Sequence, residues 1–450
     1  MIRSLITLIL FSIILFSCTG EYGKKQTFSK PNIIILFPDD MGYGDISSNG
    51  HPSIQTPNID KLAFQGMKFT NFYSGSPACT ASRYSLLTGR YPIRSGFDWV
   101  LYPKSERGIQ AKEITLAEAL KKAGYATGMF GKWHLGSTRK EYLPLQNGFD
   151  TYVGLPYSND MHPPKWPDLP LFNGNDTIEL NPDQSKLTKL YTEEAIQFIK
   201  KNKENPFFVY LPYAMPHVPL FPGKKFKGKS ERGIYGDVIE EIDWSVGEII
   251  QALKNLDLDK NTIVFFASDN GPWIIKGLDG GSSGLFRDGK GSTWEGGMRV
   301  PGIVYWPNQI KPIINTKIAT VRDIYATAIS LAGAEIPKDR VIDGNDLTDY
   351  LFHPEKVEKK EEEKPYFYYG LSNQLFAVRK GDWKLHIKTY SQTGIEYFNK
   401  KLPLLFNVNM DPSEIYDVAD EHPEIVVQLT KLIHNHEEEI IKNSNFFDNY

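Results

Sequence analysis

Only two of the 450 residues are cysteines, Cys18 and Cys79, which permits one disulfide at most and excludes a fold stapled by a disulfide framework. An excess of positive charge is also missing: 51 Lys and Arg stand against 54 Asp and Glu, for a formal net charge of -3. That balance excludes the basic footprint of a nucleic-acid binder or of a polybasic membrane-surface protein, so any anion must be met by a few placed cations. No apolar run reaches the roughly 20 residues of a comfortable bilayer span, and no internal repeat is evident. What remains is a chain long enough for one large core or two to three smaller ones.

The longest apolar run, Leu5 to Phe16, follows a single positive charge at Arg3 and leads into Ser17-Cys18-Thr19-Gly20. This reads as a signal peptide over 1–17. Leu15-Phe16-Ser17-Cys18 resembles a bacterial lipobox, in which Cys18 is lipidated and becomes the first mature residue. The alternative is an ordinary signal peptide or uncleaved anchor with Cys18 incidental. On the lipoprotein reading the chain is exported, periplasmic or at the cell surface of a bacterium, and meets the membrane only through its N-terminal lipid. Cys79 then has no partner, and is either an inert buried thiol or chemically employed.

After a polar tether over 18–30, Asn32 to Phe37 is a continuous β-branched and aromatic run, the mark of a strand buried on both faces of a parallel sheet. Thr115-Leu116-Ala117-Glu118 is a capping box that opens a helix stopped by Gly124. Strands are expected at Tyr125 to Phe130, Pro206 to Tyr213 and Thr262 to Ala267, and helices at Leu187 to Ile199 and along the Ile239, Ile242, Val246, Ile249, Ile250, Leu253 face. This alternation predicts an α/β sandwich around a mostly parallel sheet. A Glu/Lys-dense stretch over 354–364 marks a soft boundary between a catalytic domain over 31–353 and a C-terminal subdomain over 365–450. In the latter, short strands at Tyr366 to Tyr369, Leu375 to Val378 and Trp383 to Ile387 precede a helix near Glu424 to Ile441, which predicts a small antiparallel sheet with one helix against it.

The most informative stretch is Cys79-Thr80-Ala81-Ser82-Arg83, continuing through Leu86-Leu87 to Thr88-Gly89-Arg90. It resembles the signature of the type I sulfatases, C-x-[PA]-S-R followed by a leucine-rich T-G-R, in which a maturation enzyme oxidises the cysteine to formylglycine (3-oxoalanine). Ala81 stands where proline is commoner, so the kind of maturation enzyme stays open. The chemistry accounts for the modification: a thiol attacking sulfur would leave an ester with no easy exit. A hydrated aldehyde attacks with one hydroxyl and expels sulfate by collapse of the other.

Phe37-Pro38-Asp39-Asp40 places paired carboxylates at the C-terminal end of a buried strand, where open α/β sheets hold their ligands, and Ser268-Asp269-Asn270-Gly271-Pro272 follows another. An isolated Asp-Asp can be a turn or cap; together these clusters form an all-oxygen set suited to a hard cation such as calcium. The resemblance assigns Asp39, Asp40, Asp269 and Asn270 as ligands, with an oxygen of modified Cys79 completing the site. Three further segments match the family: Gly131-Lys132-Trp133-His134, Ala214-Met215-Pro216-His217, and Gly289-Lys290-Gly291 running on to Val300-Pro301. By resemblance Arg83, Lys132 and Lys290 bind sulfate oxygens and stabilise transition-state charge, His217 is the general acid for the leaving alcohol, and His134 holds the formylglycine hydroxyl and assists its deprotonation. Ser158, in Leu155 to His162, is a candidate further sulfate-side residue or a plain loop serine. Trp99, His162 and Trp166 are candidates for a sugar subsite or for packing.

The ordered motifs run from Asn32 to Pro301, with a weaker echo at Val378 to Leu385 and Leu405 to Pro412. They imply an alkaline-phosphatase-like α/β/α sandwich and look like bacterial glycan sulfatases related to arylsulfatase A and N-acetylgalactosamine-6-sulfatase. The expected substrate is a sulfated carbohydrate attacked from its non-reducing end, galactose or N-acetylgalactosamine sulfate first. One rival is a phosphatase or phosphodiesterase of the same superfamily, which would use Ser or Thr and two zinc ions held by imidazoles. The other is a non-catalytic glycan-binding lipoprotein, which predicts a broken cluster where Cys79, Arg83, Lys132, His134, His217 and Lys290 are all present.

Overall fold

The computed structural model of the protein describes residues 30–355 and 364–443. The expected signal peptide, Cys18, the tether up to residue 29 and residues 356–363 of the charged linker lie outside these residues. No helix among the described residues is long and apolar enough to cross a membrane.

The run from Asn32 forms the strand Asn32–Leu36, with every residue buried. Its pleat sends Ile33 and Ile35 into one layer, with Tyr84, Leu116 and Ile324, and Ile34 and Leu36 into the other, with Leu62, Ile199 and Ile242. Burial on both faces explains why every residue after Asn32 is apolar, since each apolar side chain contributes about 1.5–3 kcal/mol only when removed from water. Five parallel strands form the centre of the sheet, in spatial order Thr262–Ala267, Asn32–Leu36, Phe207–Leu211, Ala126–Phe130 and Thr151–Gly154. Their C-terminal ends therefore all open on one edge.

Two additions carry the sheet to ten strands among the described residues. Beyond Thr151–Gly154 a hairpin of Pro170–Asn173 and Asp176–Leu180 turns at Gly174, whose φ of 64 suits a residue without Cβ. On the other side Gly302–Tyr305 runs antiparallel to Thr262–Ala267 and pairs with Met67–Phe69, followed by Ile313–Asn315. The sheet is thus mixed and mostly parallel at its core, with helices Cys79–Thr88, Leu116–Lys122 and Val321–Leu331 on one face and Pro57–Gln65, Leu187–Lys201 and Ile234–Asn255 on the other.

The C-terminal part is a four-stranded antiparallel sheet of Tyr366–Tyr369, Leu375–Lys380, Trp383–His386 and Leu404–Asn407, backed by helix Pro423–Lys442 through Leu429 and Ile433. A buried ionic knot ties it to the short helix Glu295–Met298 and to Tyr73 of the preceding domain. Glu295 accepts from Tyr73 at 2.6 Å, Tyr368 at 2.8 Å, Lys384 at 2.9 Å and Arg299 at 3.3 Å. Arg379 donates to Tyr73. These cations outweigh the cost of burial and hold the Glu295 carboxyl well below the usual carboxylate range.

Candidate active site

Each of the five central strands ends in a loop that delivers part of one cluster. Across the sheet come Asp269 and Asn270, then Asp39 and Asp40, then His217, then Lys132 and His134, then Ser158. Helix Cys79–Thr88 sets its N-terminus above them, with Cys79 at the first position and Arg83 one turn on, on the same face. The helix has no side-chain cap, so the partial positive charge of its N-terminus, where Cys79 sits, is not offset by one. Glycines allow the loops to close. A Cβ on Gly131 would lie 1.9 Å from the Pro212 carbonyl, and one on Gly271 1.9 Å from that of Gly296. Asp40 and His134 take left-handed backbone, φ 64 and 62, which costs residues with a Cβ of order 1 kcal/mol and is common at functional sites.

The cluster interleaves cations and carboxylates. Arg83 donates to Asp39 at 3.1 Å, Asp269 at 2.9 Å and the Lys132 carbonyl at 3.2 Å. Lys132 reaches Asp39 at 2.5 Å and Ser158 at 3.1 Å, and Lys290 reaches Asp40 at 2.8 Å. Cys79 Sγ lies 3.4 Å from Lys290 Nζ and 3.9 Å from Asp40 Oδ1. Burial would raise the Asp39 carboxyl, but Lys132 and Arg83 outweigh it and hold it well below the ordinary range. Burial and the Asp39 charge push Asp269 up to about 7, against the pull of Arg83. Burial also drives the Cys79 thiol well up, in spite of Lys132 and Lys290, so the unmodified side chain is a protonated thiol and not an activated thiolate.

Comparison with known proteins decides what this cluster belongs to. A family model described as Sulfatase matches residues 31–334, and one described as C-terminal region of aryl-sulfatase matches 361–450. The chain is 38% identical over 458 residues to N-acetylgalactosamine-6-sulfatase of Mus musculus, covering 91% of this chain and 87% of that one. The chain belongs to the sulfatase family. It is a sulfuric ester hydrolase. Among solved structures, the PsFucS1 sulfatase from Pseudoalteromonas sp. superposes with a TM-score of 0.84 at 30% identity, covering 93% of this chain and 92% of that one. A structure titled for the metabolism of multiple glycosaminoglycans by Bacteroides thetaiotaomicron reaches 0.81 at 32% identity, covering 91% and 99%. The alkaline-phosphatase-like sandwich expected from the motifs is the fold of this sulfatase.

The oxygens of Asp39, Asp40 and Asp269 lie within 4.8 Å of one another, and Asn270 Oδ1 is buried with no hydrogen-bond partner. A divalent hard cation fits this donor set: three carboxylates and an orphaned amide oxygen are what calcium takes. The two histidines are held differently. His134 Nε2 lies 2.9 Å from the Leu101 carbonyl, while its buried Nδ1 has no partner, and burial together with Lys132 pushes the ring well below the usual imidazole range. His134 is therefore neutral, protonated at Nε2 and bare at Nδ1. His217 Nε2 lies 3.3 Å from Ser158 Oγ and 3.7 Å from Asp40. Burial and Lys290 lower its pKa against the pull of Asp40 and Asp39.

All of the candidate residues for metal, sulfate and nucleophile come together in this sulfatase, Ser158 included. Trp166 stacks on Tyr102 at 5.1 Å and Trp99 is half-buried, while His162 lines a cavity of about 340 Å³ with Leu169, Asn181, Gln184 and Phe221. Three residues near the chemistry went unread. Trp273 lies under Lys290, 4.5 Å from its ring centroid to Nζ, and beside His217 at 5.2 Å. Gln392, from the C-terminal part, accepts from the Trp273 indole at 2.8 Å. Asn159 contacts His217. Trp273 directly follows Pro272 and Asn159 directly follows Ser158, a signal that adjacency offered; Gln392 has no local signal.

Proposed function

We propose that this sulfatase cleaves the sulfate ester of a carbohydrate from its non-reducing end, with galactose or N-acetylgalactosamine sulfate as first candidates, through a formylglycine formed from Cys79 and a calcium ion held by Asp39, Asp40, Asp269 and Asn270. The observation that carries the reading is the charge count around Cys79. Arg83, Lys132 and Lys290 balance the three carboxylates, so a bound divalent cation leaves two positive charges for the sulfate group of the substrate and the sulfate dianion of the product. Support for the sugar class comes from the relative named N-acetylgalactosamine-6-sulfatase and from the near-neutral net charge, which disfavours a long basic groove for a polyanion.

When present, the hydrated aldehyde supplies a hydroxyl to attack sulfur and a second whose collapse frees sulfate, and calcium supplies Lewis-acid charge. The remaining work falls to the chain's own side chains. Lys132 and Lys290 flank Cys79 and orient the sulfate oxygens, with Ser158 as a hydroxyl partner beside Lys132. Arg83 holds Asp39 and Asp269 in place as well as adding positive charge. In the substrate complex His217 acts as the imidazolium, giving its Nε2 proton to the departing sugar oxygen and keeping the Nδ1 hydrogen, and His134 Nδ1, bare and buried, takes the proton of a hydroxyl on residue 79. The test is sulfate release from a panel of defined sulfated mono- and oligosaccharides by protein co-produced with a maturation enzyme, with the mass of the Cys79 peptide read in parallel. Turnover with formylglycine and calcium present is expected. Turnover by protein carrying only intact thiol, or bound zinc in place of calcium, would overturn the mechanism; activity confined to internal sulfates of polymers, or to aryl sulfates, would overturn the substrate.

Export as a lipoprotein is part of the same proposal, supported by the Leu15 to Cys18 pattern. Metabolic labelling with palmitate that is unchanged in Cys18→Ala would refute it.

A further inference from the structure

Asn159 and Gln184 have no part in the chemistry above, yet both are buried beside it, at 0% and 8% exposure. We propose that they form an amide relay that positions His217 for proton transfer, with Asn159 as the positioning residue and Gln184 as its support. The inference rests on the reading of His217 as general acid.

The orientation of both amides follows from their neighbours. Asn159 Nδ2 lies 3.0 Å from Gln184 Oε1, 3.3 Å from the His217 carbonyl and 3.1 Å from the Pro219 carbonyl. Three oxygens around one atom require that atom to be the nitrogen, which leaves Asn159 Oδ1 as the acceptor 3.0 Å from His217 Nδ1. Gln184 Nε2 donates back to the Asn159 carbonyl at 3.0 Å, so the two amides lock each other. His217 Nδ1 also lies 2.7 Å from the Val218 carbonyl. With two acceptors facing it, Nδ1 carries a hydrogen, and Nε2 is the nitrogen left to exchange a proton with substrate.

Val218 belongs to the same loop as His217 and moves with it, so its carbonyl cannot fix the loop against the rest of the site. Asn159 comes from the loop after Thr151–Gly154, two strands away across the sheet. It grips both the ring and the backbone carbonyl of His217. Its neighbour Ser158 reaches the other ring nitrogen, Nε2, at 3.3 Å, so two consecutive residues bracket the imidazole from opposite sides. Ser158 is in turn tied to Lys132. The general acid and a sulfate-binding cation thus share one support, and a ring turned by a small angle would lose the leaving oxygen while the sulfate stayed in place.

A general acid matters in proportion to how poor the leaving group is, and this gives a readout that mere loss of packing would not move. Matured, calcium-loaded protein would be assayed on aryl sulfates from p-nitrophenyl to unsubstituted phenyl and on a sulfated sugar that the enzyme turns over. For Asn159→Ala, kcat/KM is expected to fall less than about threefold on p-nitrophenyl sulfate and about 100-fold on the sugar sulfate, the lower range of general-acid contributions. Gln184→Met keeps the Asn159–His217 contact and is expected to show the same selectivity with a loss of about three- to tenfold; it decides the matter if Asn159→Ala does not fold. Equal losses on good and poor leaving groups in either variant, or no loss, would overturn the relay. His217→Ala is the control: a leaving-group-dependent loss there, with none in the Asn159 and Gln184 variants, sinks the relay alone, whereas a uniform loss in His217→Ala sinks the general-acid reading beneath it.

Discussion

At Cys79 the side chain is 1% exposed, and burial pushes its thiol well up even with two lysines near it. A residue in that state has little chemistry of its own, and removing its sulfur from a packed pocket leaves only a small void. Cys79→Ala is therefore expected to keep the melting temperature within a few degrees, about 1 kcal/mol, while sulfate release falls to background; retention of measurable turnover would remove Cys79 from the mechanism. Asn270 presents a different case, since its Oδ1 is orphaned in a place where an unpaired polar atom costs free energy. Asn270→Ala is expected to weaken calcium by at least about tenfold, equal to 1.4 kcal/mol, in a calorimetric titration. An unchanged affinity would show that this oxygen is not a ligand. Both residues were readable because they sit in contiguous motifs. Asn159 was not, although it follows Ser158, because its role depends on a histidine 58 residues away, and a lone loop asparagine carries no pattern.

Elements with a strong local period were the most legible. The helix predicted from Ile239 to Leu253 is Ile234–Asn255, and Ile239, Ile242, Val246, Ile249, Ile250 and Leu253 all lie in one core. The strand at Thr262–Ala267 has the bounds read from the sequence. The three-residue strand Met67–Phe69 and the turn-rich hairpin at 170–180 were missed because they are too short for a period to show. The helix also buries something its pattern does not announce, Glu241, whose carboxylate accepts from the Gly223 amide at 2.6 Å. Burial pushes it up to about 7 from an ordinary 4.5. Between those values the folded chain holds a proton that the unfolded chain has lost, so stability falls as pH rises across this window. Glu241→Gln removes that slope. In urea titrations the variant is expected to gain on the parent by up to about 3 kcal/mol between pH 4.5 and 7.5; parallel curves for the two proteins would show that Glu241 is ionised throughout.

Over the whole molecule, the order of strands and the edge that carries the site could be argued from alternating helices and apolar strands. The join between the C-terminal part and the rest could not. Glu295 lies inside a segment read only for Lys290, and its partners Tyr73, Tyr368 and Lys384 come from three distant stretches. Ion pairs between such separated residues leave no trace in local spacing. Replacing this carboxylate strands several buried cations, which typically costs 3–5 kcal/mol. Glu295→Gln is expected to lower stability by about that amount and to open the C-terminal part to limited proteolysis before the large sheet unfolds. An unchanged cleavage pattern would mean that apolar packing alone holds the two parts together.

The enclosure of Cys79 also sets an order of events in biosynthesis. A side chain so enclosed where the loops of five strands meet offers no path to the active site of another protein, so the proposed oxidation of Cys79 calls for a maturation enzyme that meets this segment while the chain is still extended, before Asp39 and Asp269 close on Arg83. Folding is then a deadline. Chains that fold with an intact thiol are expected to remain inactive when purified maturation enzyme is added afterwards, and to gain activity only if unfolded in its presence and allowed to fold again. Cells that make the sulfatase faster than they can modify it would accumulate stable, well-folded protein that never turns over, and yield would cease to report activity.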